Sequence, residues 1–529
     1  MPTITRRAFA GLATLPFFAP LAGLGPAVAA PTRGGTLRLV MATESANLIP
    51  IDNTFGTTGI IGPKINEGLL AYDLKFNPVP QLATAWAQSA DGLSLEFDLR
   101  PNVTWHDGKP FTAADVAFSI LTLKKVHPRG RATFANVVDV ETPTPLKVIL
   151  RLSKPAPYIL GAFAASESPI VAKHVYEGQE IGTNPANAAP IGTGPFVFKE
   201  WVKGSHIVLE RNPNYWDAPK PWLDRIIVRF IPDANARSAA FAAGEIDIGG
   251  DTPVPRSEIE TLKASPTLDV VSDGYAYLGN QSQLVYNLDN PILAKLEVRR
   301  AIAHAIDLKQ VLAVAWYGQG VVSPTPITPL LEAFHDGSLQ PYAHDPKKAA
   351  ELLDKAGHPL VDGKRFSLRA LHNPFADANS RAVAYVRQAL GRLGIEVTVQ
   401  NLDFATYVKT VYGDRAFDIE IENLGNAFDP TLGVQRVYWS KNFRPGLGFS
   451  NGAHYANQEV DRLLEAAAVE PDTAKRRRLW FDFQKIVQDE LPVLNLLSNH
   501  SYTVAKKSVR GHTLTIDGPR ANFADVHFV

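Results

Sequence analysis

The sequence predicts an α/β protein built from several domains. Three observations support this prediction: the chain has 529 residues, 45% of them are hydrophobic and 20% charged, and predicted helices alternate with predicted strands. The length allows for about three domains at ~150 residues each, and the composition is that of a globular protein with a substantial core. A helix–strand–helix–strand order favours a parallel sheet whose ligand contacts lie beyond the carboxyl ends of the strands.

The first 29 residues are typical of a cleaved export signal. Arg6 and Arg7 precede an apolar stretch, and Ala27-Val28-Ala29 fits the small-x-small site of a signal peptidase. The paired arginines favour the twin-arginine route, with general secretion as the alternative. We therefore expect a soluble, exported mature protein that begins at Ala30.

The elements of the first half follow from alternation and capping signals. Residues 36–40 and 93–99 alternate polar and apolar side chains and predict strands. Thr112 is the predicted N-cap of a helix, with Asp115 as its capping-box partner. Residues 192–195 predict a tight turn rather than a phosphate-binding loop, because a strand and not a helix follows at 196–198.

The second half contains the clearest alternation of helices and strands. Pro346 opens a predicted helix that stops before Gly357. A helix over 379–393, a strand over 395–399, a helix over 404–412 and a strand over 417–421 follow, and 423–430 is a predicted loop. Residues 321–329 hold three prolines and predict a surface connection.

Composition and missing motifs exclude most kinds of active site. The chain has no Cys, which excludes disulfides, thiolate zinc sites, iron–sulfur clusters and Cys nucleophiles. Lys plus Arg (53) equals Asp plus Glu (53), so no net charge favours nucleic acid. The basic run 475–478 continues as an amphipathic helix, which we interpret as a solvated helix start. With no H-E-x-x-H, G-x-S-x-G or Walker motif, we expect neither a cofactor nor a metal; an exported hydrolase is the alternative from a different class.

Several long motifs, in a consistent order, carry a resemblance to one protein family. They are residues 82–86, 91–92, 99–116, 190–196, 210–216, 243–248 and 298–307. With these motifs the sequence resembles the peptide/nickel class (family 5) of the solute-binding proteins that serve ABC importers. The resemblance runs from about residue 35 to 497, which is nearly the whole mature chain.

The resemblance implies a two-lobed, type II periplasmic-binding-protein fold with an additional inserted domain. Mapped onto this chain, lobe I comprises 30–55, 190–275 and 490–529, the inserted domain 56–189, and lobe II 276–489. A ligand that contacts both lobes favours the closed form over the open one. The implied partners are a peptide-like or other polar solute, and an ABC permease with its ATPase subunits at the inner membrane; the protein itself is expected to be a monomer.

Two asparagines stand where dipeptide-binding relatives carry charged anchors for their ligand. Asn426 falls at the position of an Asp that pairs with the ammonium group, and Asn373 at that of an Arg that pairs with the carboxylate. Neutral amides can bind hydroxyls, amides or peptide backbone. We therefore expect free dipeptides to bind weakly, and longer or capped peptides or neutral polar solutes to bind better.

Further candidates surround these two positions. Arg381 and Arg436 could supply a cation, and Asp429 is interpreted as a turn former before Pro430. The remaining predicted ligand-binding residues are an amide in the same loop and four aromatic side chains: Asn423, Phe428, Trp439, Tyr275 and Tyr277. Within the binding class, a nickel or metal-chelate cargo is the alternative.

Overall fold

The computed structural model describes residues 31–529, which contain a seven-stranded, a six-stranded and a four-stranded β-sheet and two two-stranded sheets. The predicted export signal and its cleavage site lie outside the described residues. We call the domain built on the seven-stranded sheet lobe I, the domain built on the six-stranded sheet lobe II, and the domain with the four-stranded sheet the inserted domain. Among residues 31–529, no helix combines the length and the hydropathy of a membrane span.

The strands are short and lie in all three domains. In chain order they are β1 Thr36–Met41, β2 Leu70–Tyr72, β3 Pro78–Pro80, β4 Ala83–Gln88, β5 Ser94–Leu99, β6 Val137–Thr144, β7 Lys147–Leu152, β8 Phe196–Val202, β9 His206–Arg211, β10 Arg225–Phe230, β11 Ile248–Gly249, β12 Leu268–Val271, β13 Asn280–Tyr286, β14 Gly320–Val322, β15 Phe366–His372, β16 Ile395–Val399, β17 Ile419–Gly425, β18 Val493–Asn499, β19 Thr503–Lys506, β20 Val509–Arg510 and β21 His527–Phe528.

The α-helices are concentrated in lobe II. In chain order they are α1 Gly56–Ile65, α2 Ala113–Val126, α3 Gly130–Thr133, α4 Lys173–Tyr176, α5 Ala234–Ala242, α6 Ile259–Lys263, α7 Leu296–Ala305, α8 Leu308–Trp316, α9 Pro346–Lys355, α10 Asp377–Gly391, α11 Phe404–Val408, α12 Pro430–Gly433, α13 Gln435–Tyr438, α14 Gln458–Ala467 and α15 Thr473–Glu490.

Lobe I is assembled from three separate chain segments. Its strand order is β12-β19-β11-β1-β10-β9-β8, with β1 parallel to both β10 and β11. The alternation of β1 buries Leu37 and Leu39 in the lobe I core. Ile60 and Ile61 of α1 lie in the same core, so α1 packs with lobe I. The predicted start of the inserted domain at residue 56 is therefore corrected to a position after α1.

The inserted domain is an antiparallel sheet covered by α2. Its strand order is β4-β5-β7-β6, and α2 buries Val116, Ile120 and Leu123 in the same core as β5 and β7. The predicted helix start is confirmed: the Asp115 carboxylate accepts the Thr112 main-chain N–H at 2.9 Å. This bond satisfies one of the donors left open at the helix start.

Lobe II contains a mixed sheet in the order β14-β18-β13-β17-β15-β16. β15 runs parallel to β16 and to β17, as the helix–strand alternation predicts, whereas β13, β14 and β18 are antiparallel. Because β18 belongs to this sheet, the second boundary of lobe II lies near residue 500. The predicted boundary at 489 is corrected accordingly.

Three predictions within lobe II need correction. The predicted helix 404–412 changes at Lys409 into a π-helical turn, Lys409–Gly413. The strand predicted over 417–421 begins at Ile419 and continues to Gly425, into the predicted loop. The predicted surface connection 321–329 is largely buried: β14 pairs with β18 there, and Thr325 and Ile327 are completely buried. The proline-rich segment 321–329 is therefore part of the interior of lobe II.

A buried carboxylate joins the inserted domain to lobe I. Glu67 accepts hydrogen bonds from Thr193 Oγ1 at 3.1 Å, Tyr215 Oη at 2.7 Å and Trp216 Nε1 at 2.8 Å. Burial raises the pKa of Glu67 to about 7 although these donors lower it. Two of the motifs that carry the resemblance, 190–196 and 210–216, therefore converge on one structural side chain.

The turn at 192–194 requires close approach of two backbones. A Cβ on Gly192 would lie 1.8 Å from the carbonyl oxygen of Ile65 at the end of α1. His106, from a third motif, receives the Gly192 N–H at 3.2 Å, and its Nε2 lies 3.0 Å from the Gly194 carbonyl oxygen. The predicted turn is thus confirmed, and its glycines are explained by packing.

Two chain segments connect the lobes. One lies between β12 and β13, residues 272–279, and the other between β18 and β19, residues 500–502. Both enter lobe II at the edge where β17 ends, because Asn280 pairs with Gly425 and also with Asn499. We call these two connections the hinge segments; both lie at this edge of the lobe II sheet.

Candidate functional site

A cavity of about 360 Å³ lies between the lobes, beside the two hinge segments. This size is within the range of small-molecule sites. All three domains contribute to its wall. Among the lining residues are Asp251, Tyr275, Asp517 and Arg520 of lobe I, Arg129 of the inserted domain, Tyr277 of the hinge, and Asn280, Gly425, Asn499 and His500 at the edge of lobe II.

Arg129 brings a positive charge to the cavity from the start of α3. Its Nε donates to both Glu167 oxygens at 2.8 Å, and its Nη2 also bonds to Glu167. Burial alone would raise the pKa of Glu167, but the Arg129 charge outweighs burial and the pKa is lowered. Glu167 is thus held ionised. Among residues 31–529, the Nη1 of Arg129 has no hydrogen-bond acceptor and remains available to a ligand.

Arg520 supplies a second guanidinium, from the C-terminal segment. Its Nη2 lies 3.0 Å from Asp251 Oδ2, and within the described residues this is the only hydrogen bond of the guanidinium. Asp251 and Thr252 both have positive φ, 54° and 58°, a conformation that costs about 1–3 kcal/mol for a residue other than Gly. The Asp251 N–H donates to Tyr275 Oη at 3.0 Å. Such strained backbone next to a cavity is typical of a binding site.

Acidic groups lie in the same wall. Asp517 is buried, and burial raises its pKa to about 6, although the Ser166 hydroxyl, 3.2 Å away, and the charges of Arg520 and Lys64 lower it. Asp273 is exposed at the hinge, where it also lines the cavity. The wall of the cavity therefore contains charged groups of both signs.

Tyr277 contributes an aromatic ring to the cavity wall, and Phe428 packs against that ring. Their rings stack with centroids 5.2 Å apart, and Phe76 also stacks on Tyr277, at 6.0 Å. Tyr277 Oη donates to the Gly161 carbonyl oxygen at 2.9 Å. Phe428 comes from lobe II, Tyr277 from the hinge, and Phe76 and Gly161 from the inserted domain, so the three parts are in contact here.

The two predicted anchor amides are bonded to the protein's own backbone. Asn426 is completely buried: its Oδ1 accepts the Thr328 N–H at 2.6 Å and its Nδ2 donates to the Pro326 carbonyl at 3.0 Å. Asn373 Oδ1 accepts the Phe375 N–H at 3.0 Å. Neither residue lines the cavity. Asn426 therefore holds the segment 326–328 in place, and Asn373 stabilises the turn that follows β15.

Of the other five predicted residues, two line the cavity and three do not. Tyr275 and Tyr277 line it, whereas Phe428 packs against Tyr277 without lining it. Asn423 lies two register positions from Gly425 at the cavity edge, and its buried Oδ1 has no partner among residues 31–529. Trp439 lies away from the cavity, because its Nε1 donates to Glu465 at 2.9 Å on α14.

The two arginines predicted as alternative cations have structural partners. Arg381 donates through Nε and Nη2 to the Ala315 carbonyl near the end of α8, at 3.1 and 2.8 Å. Arg436 donates to the Gly433 carbonyl at 3.0 Å and to the Phe449 carbonyl at 2.7 Å. Neither lines the cavity. The cations of the cavity are instead Arg129 and Arg520.

The sequence contained one signal for the residues that were missed. Asp251 follows the Gly-Gly pair at the carboxyl end of β11, Asn499 is the last residue of β18 and His500 follows it; residues in such positions commonly contact ligands in α/β sheets. Arg129 and Asp517 had no comparable signal, because both reach the cavity from irregular segments. In the described part of the chain, no group of three His, Cys, Asp or Glu side chains could hold a metal ion.

Comparison with known proteins identifies a shared architecture. The family model described as bacterial extracellular solute-binding proteins, family 5, middle part, matches residues 77–446. A putative ABC transporter peptide-binding protein of Brucella ovis is 29% identical over 511 residues, which cover 94% of this chain and 93% of that protein. The oligopeptide-binding protein AppA of Bacillus subtilis is 26% identical over 504 residues, covering 91% and 89%.

A solved structure supports the same relationship. NikA from Brucella suis, crystallised in complex with Fe(III)-EDTA, has a TM-score of 0.80 and 27% sequence identity, over 94% of this chain and 100% of that one. The two-lobed arrangement with an inserted domain is therefore the type II architecture that these proteins share.

Proposed function

The chain belongs to the family 5 bacterial extracellular solute-binding proteins, and from this membership we propose that its interlobe cavity captures a small peptide-like solute. The protein is a transport binding protein of an ABC importer rather than an enzyme. The solute we propose carries a carboxylate and a second polar or cationic group. The Brucella ovis and Bacillus subtilis relatives are named as peptide-binding and oligopeptide-binding proteins, which supports this class.

The observation that carries the proposal is the presence of both charges in one cavity. Arg129 and Arg520 keep N–H groups for a carboxylate after bonding Glu167 and Asp251, while Asp273 and Asp517 can face a cation. The N–H groups that these two ion pairs leave free favour a carboxylate on the solute, because a charge-assisted hydrogen bond is stronger than a neutral one. The expectation that free dipeptides bind weakly rested on the neutral side chains of Asn373 and Asn426. We no longer make it, because the charged groups of the cavity come from other segments of the chain.

We expect the lobes to close around a solute, because residues from both lobes line the cavity. The anion-binding groups belong to lobe I and the inserted domain, whereas Asn280 and Asn499 belong to lobe II. A solute that touches both sides has more contacts in the closed form and shifts the population toward it. The shift is limited by the difference in affinity between the two forms.

A carboxylate-bearing metal chelate is the second candidate. NikA from Brucella suis was crystallised with Fe(III)-EDTA, and EDTA is a polycarboxylate. In this chain Arg129 and Arg520 would bind the carboxylates of such a chelate, and His500 in the cavity wall could approach its metal. The two classes differ in a simple way: a chelate requires the metal for binding and a peptide does not.

Native mass spectrometry of freshly purified protein, followed by calorimetry, tests the proposal. The spectrum identifies any solute retained in the cavity. Calorimetry then compares alanine tripeptide, glutathione and nickel–histidine, the last with and without EDTA as competitor. Charged hydrogen bonds contribute about 1.5–3 kcal/mol, so Arg520→Gln should weaken binding of the tripeptide roughly 10- to 100-fold.

Arg510→Gln is the matched control for Arg520→Gln. Arg510 lies in the same C-terminal segment but is half-exposed and pairs with Asp269 outside the cavity. It should leave the affinity unchanged. If all three probes fail to bind wild-type protein, the peptide and chelate classes are both wrong; if only nickel–histidine binds, the second candidate replaces the first.

Export and assembly complete the proposal. We propose that residues 1–29 form a twin-arginine signal, that the mature protein acts in the periplasm as a monomer, and that its closed form docks on a permease with ATPase subunits. N-terminal sequencing of the exported protein should give Ala30 first. Normal export of the Arg6→Lys, Arg7→Lys double variant would disprove the twin-arginine route.

A further inference from the structure

A second groove lies on lobe II, at the opposite end of its strands from the interlobe cavity. Its volume is about 400 Å³, which is within the range of small-molecule sites. Gln488 and Asp489 in its wall come from the end of α15, shortly before β18, whereas Asn499 at the other end of β18 lines the interlobe cavity. The seven residues of β18 span about 20 Å at ~3.3 Å per residue. The two sites are therefore separate.

The groove is built on a sequence motif that the interlobe cavity leaves unexplained. The motif 298–307 overlaps α7, and its residues Arg300 and His304, one helical turn apart, both line the groove. The neighbouring Arg299 is buried and donates from Nε to the Leu491 carbonyl oxygen at 2.9 Å. This bond fixes α7 against the end of α15, so the two helices hold the walls of the groove in a defined position.

Positive charge predominates in this groove. Arg300 Nη2 donates to the main-chain oxygen of Asp489 at 3.0 Å, which leaves other N–H groups of the guanidinium for a ligand. Lys348 of α9 is exposed, and neither it nor Arg300 forms a salt bridge within residues 31–529. Asp489 carries the only carboxylate among the lining residues. Two cations without an ionic partner favour an anionic group on the ligand, because charge-assisted hydrogen bonds are the stronger ones.

Two acceptors without partners lie beside these cations. His304 is only 6% exposed, and its Nδ1 lies 2.7 Å from the Ala343 carbonyl oxygen. Because a carbonyl oxygen only accepts, Nδ1 carries the hydrogen, and Nε2 of the neutral ring is an acceptor without a donor among residues 31–529. The Oε1 of Gln488 is buried without a partner in the same range. Buried polar atoms almost always have a partner, so Gln488 calls for a donor on the ligand, and His304 can accept a second one.

Tyr342 and Leu352 give the groove an apolar side. Tyr342 is held in place by its Oη, which donates to the Gln488 carbonyl oxygen at 3.0 Å, and its ring meets that of His304 edge-on with centroids 5.3 Å apart. Both Tyr342 and Leu352 are partly buried and line the groove. A sugar offers hydroxyl donors together with a C–H surface that packs on such side chains. An anionic substituent on the sugar would complete the match with the two cations.

We propose that this groove binds a sugar phosphate or a related hydroxylated anion. The anionic group bonds Arg300 and Lys348. Hydroxyl groups of the sugar donate to Gln488 Oε1 and His304 Nε2, and its C–H surface packs on Tyr342. Because the groove shares no lining residue with the interlobe cavity, this anion binds whether or not the transported solute is present, and the inference does not depend on the class of that solute.

Calorimetry with glucose 6-phosphate tests this assignment. Wild type should bind it saturably, and more tightly than glucose or inorganic phosphate, because each of these offers only part of the contacts. Arg300→Gln and Lys348→Gln should each weaken binding roughly tenfold or more, since each removes a charged hydrogen bond. Lys347→Gln is the matched control: Lys347 is the next residue in the chain, exposed but outside the groove, and its substitution should leave the affinity unchanged.

Two further measurements separate the possible failures. Melting temperatures near that of wild type show that the variants are folded, and Arg520→Gln at the interlobe cavity should not change the affinity for glucose 6-phosphate. Binding that depends on Arg520 but not on Arg300 or Lys348 places the ligand in the interlobe cavity and overturns the second site. The absence of saturable binding to wild type, or an equal loss of affinity in Lys347→Gln, also overturns it. Equal affinity for inorganic phosphate overturns the sugar class.

Discussion

Arg476 and Asp429 form a buried ion pair joined by two hydrogen bonds. Arg476 Nη1 lies 2.8 Å from Asp429 Oδ2, Nη2 lies 2.7 Å from Oδ1, and both side chains are less than 8% exposed. The pair ties α15 to the loop that carries Phe428, and Arg476 Nε also bonds the Ala467 carbonyl at 2.8 Å. One residue of the basic run 475–478 is thus buried, so the prediction of a wholly solvated helix start was wrong at this position.

Removing Arg476 should destabilise the protein strongly. Arg476→Met leaves the Asp429 carboxylate buried and unpaired, which typically costs about 3–5 kcal/mol. Arg478→Met, an exposed position in the same run, should change the free energy of unfolding by no more than about 0.5 kcal/mol. Denaturant unfolding measures both values. The Arg476→Met, Asp429→Asn double variant should recover part of the loss; equal effects of the two single Arg substitutions would contradict the buried pair.

Glu67 should make stability depend on pH. Its pKa in the folded protein is about 7, above the value near 4.5 in the unfolded chain, so the folded state binds the proton more tightly. The stability that this group contributes is therefore fully present below about pH 4.5, and it is lost as the pH rises to about 7. The difference between the folded and unfolded pKa values of Glu67 corresponds to about 3 kcal/mol in the free energy of unfolding.

The Glu67→Gln variant tests this dependence. Because its side chain does not titrate, the free energy of unfolding should fall less between pH 4.5 and 7 than in wild type. Glu180→Gln, at an exposed position, serves as the control and should follow the wild-type curve. Parallel pH profiles of wild type and Glu67→Gln would show that Glu67 is not the group responsible.

Gly192 should tolerate no side chain. A Cβ there would lie 1.8 Å from the Ile65 carbonyl oxygen, so Gly192→Ala must push α1 away from the turn, at a cost of at least about 1–3 kcal/mol. Gly391→Ala is the matched control, because Gly391 is helical, exposed and has open space around it. That substitution should be neutral or stabilise by up to about 1 kcal/mol. Thermal unfolding of both variants distinguishes the outcomes.

Local signals in the sequence predicted many of the elements. The strand over 395–399 and the helix beginning at Pro346 occur where predicted, because periodicity and capping act over a few neighbouring residues. The boundaries of the domains were less accurate. α1 and β18 lie next to a predicted boundary in the chain, but their side chains and ladder partners come from distant segments.

The candidate site was harder to predict for the same reason. Tyr275 and Tyr277 were proposed and do line the cavity, whereas Asn426 occupies the expected position in the chain but bonds to residues 326 and 328. Arg129 and Arg520 lie 391 positions apart in the sequence. No local pattern relates two residues that meet only through the tertiary fold.

The contact between Phe428 and Tyr277 should favour the closed arrangement of the lobes. Phe428 is carried by lobe II, is only 2% exposed, and packs on the hinge and the inserted domain. Opening the cleft would expose it to water, and burying a Phe side chain contributes about 1.5–3 kcal/mol. Phe428→Ala should therefore shift the equilibrium toward the open form by roughly 10- to 100-fold, and small-angle scattering without solute should give a larger radius of gyration.

Phe366→Ala separates closure from general loss of stability. Phe366 is partly buried on the far side of lobe II, where it packs against His358, so its removal should lower the melting temperature without changing the radius of gyration. Adding a solute at 100 times its Kd stabilises a protein by about 2.7 kcal/mol, and this should restore the compact form of Phe428→Ala. If the radius of Phe428→Ala equals that of wild type without solute, the aromatic contact does not hold the lobes together and closure depends on the solute alone.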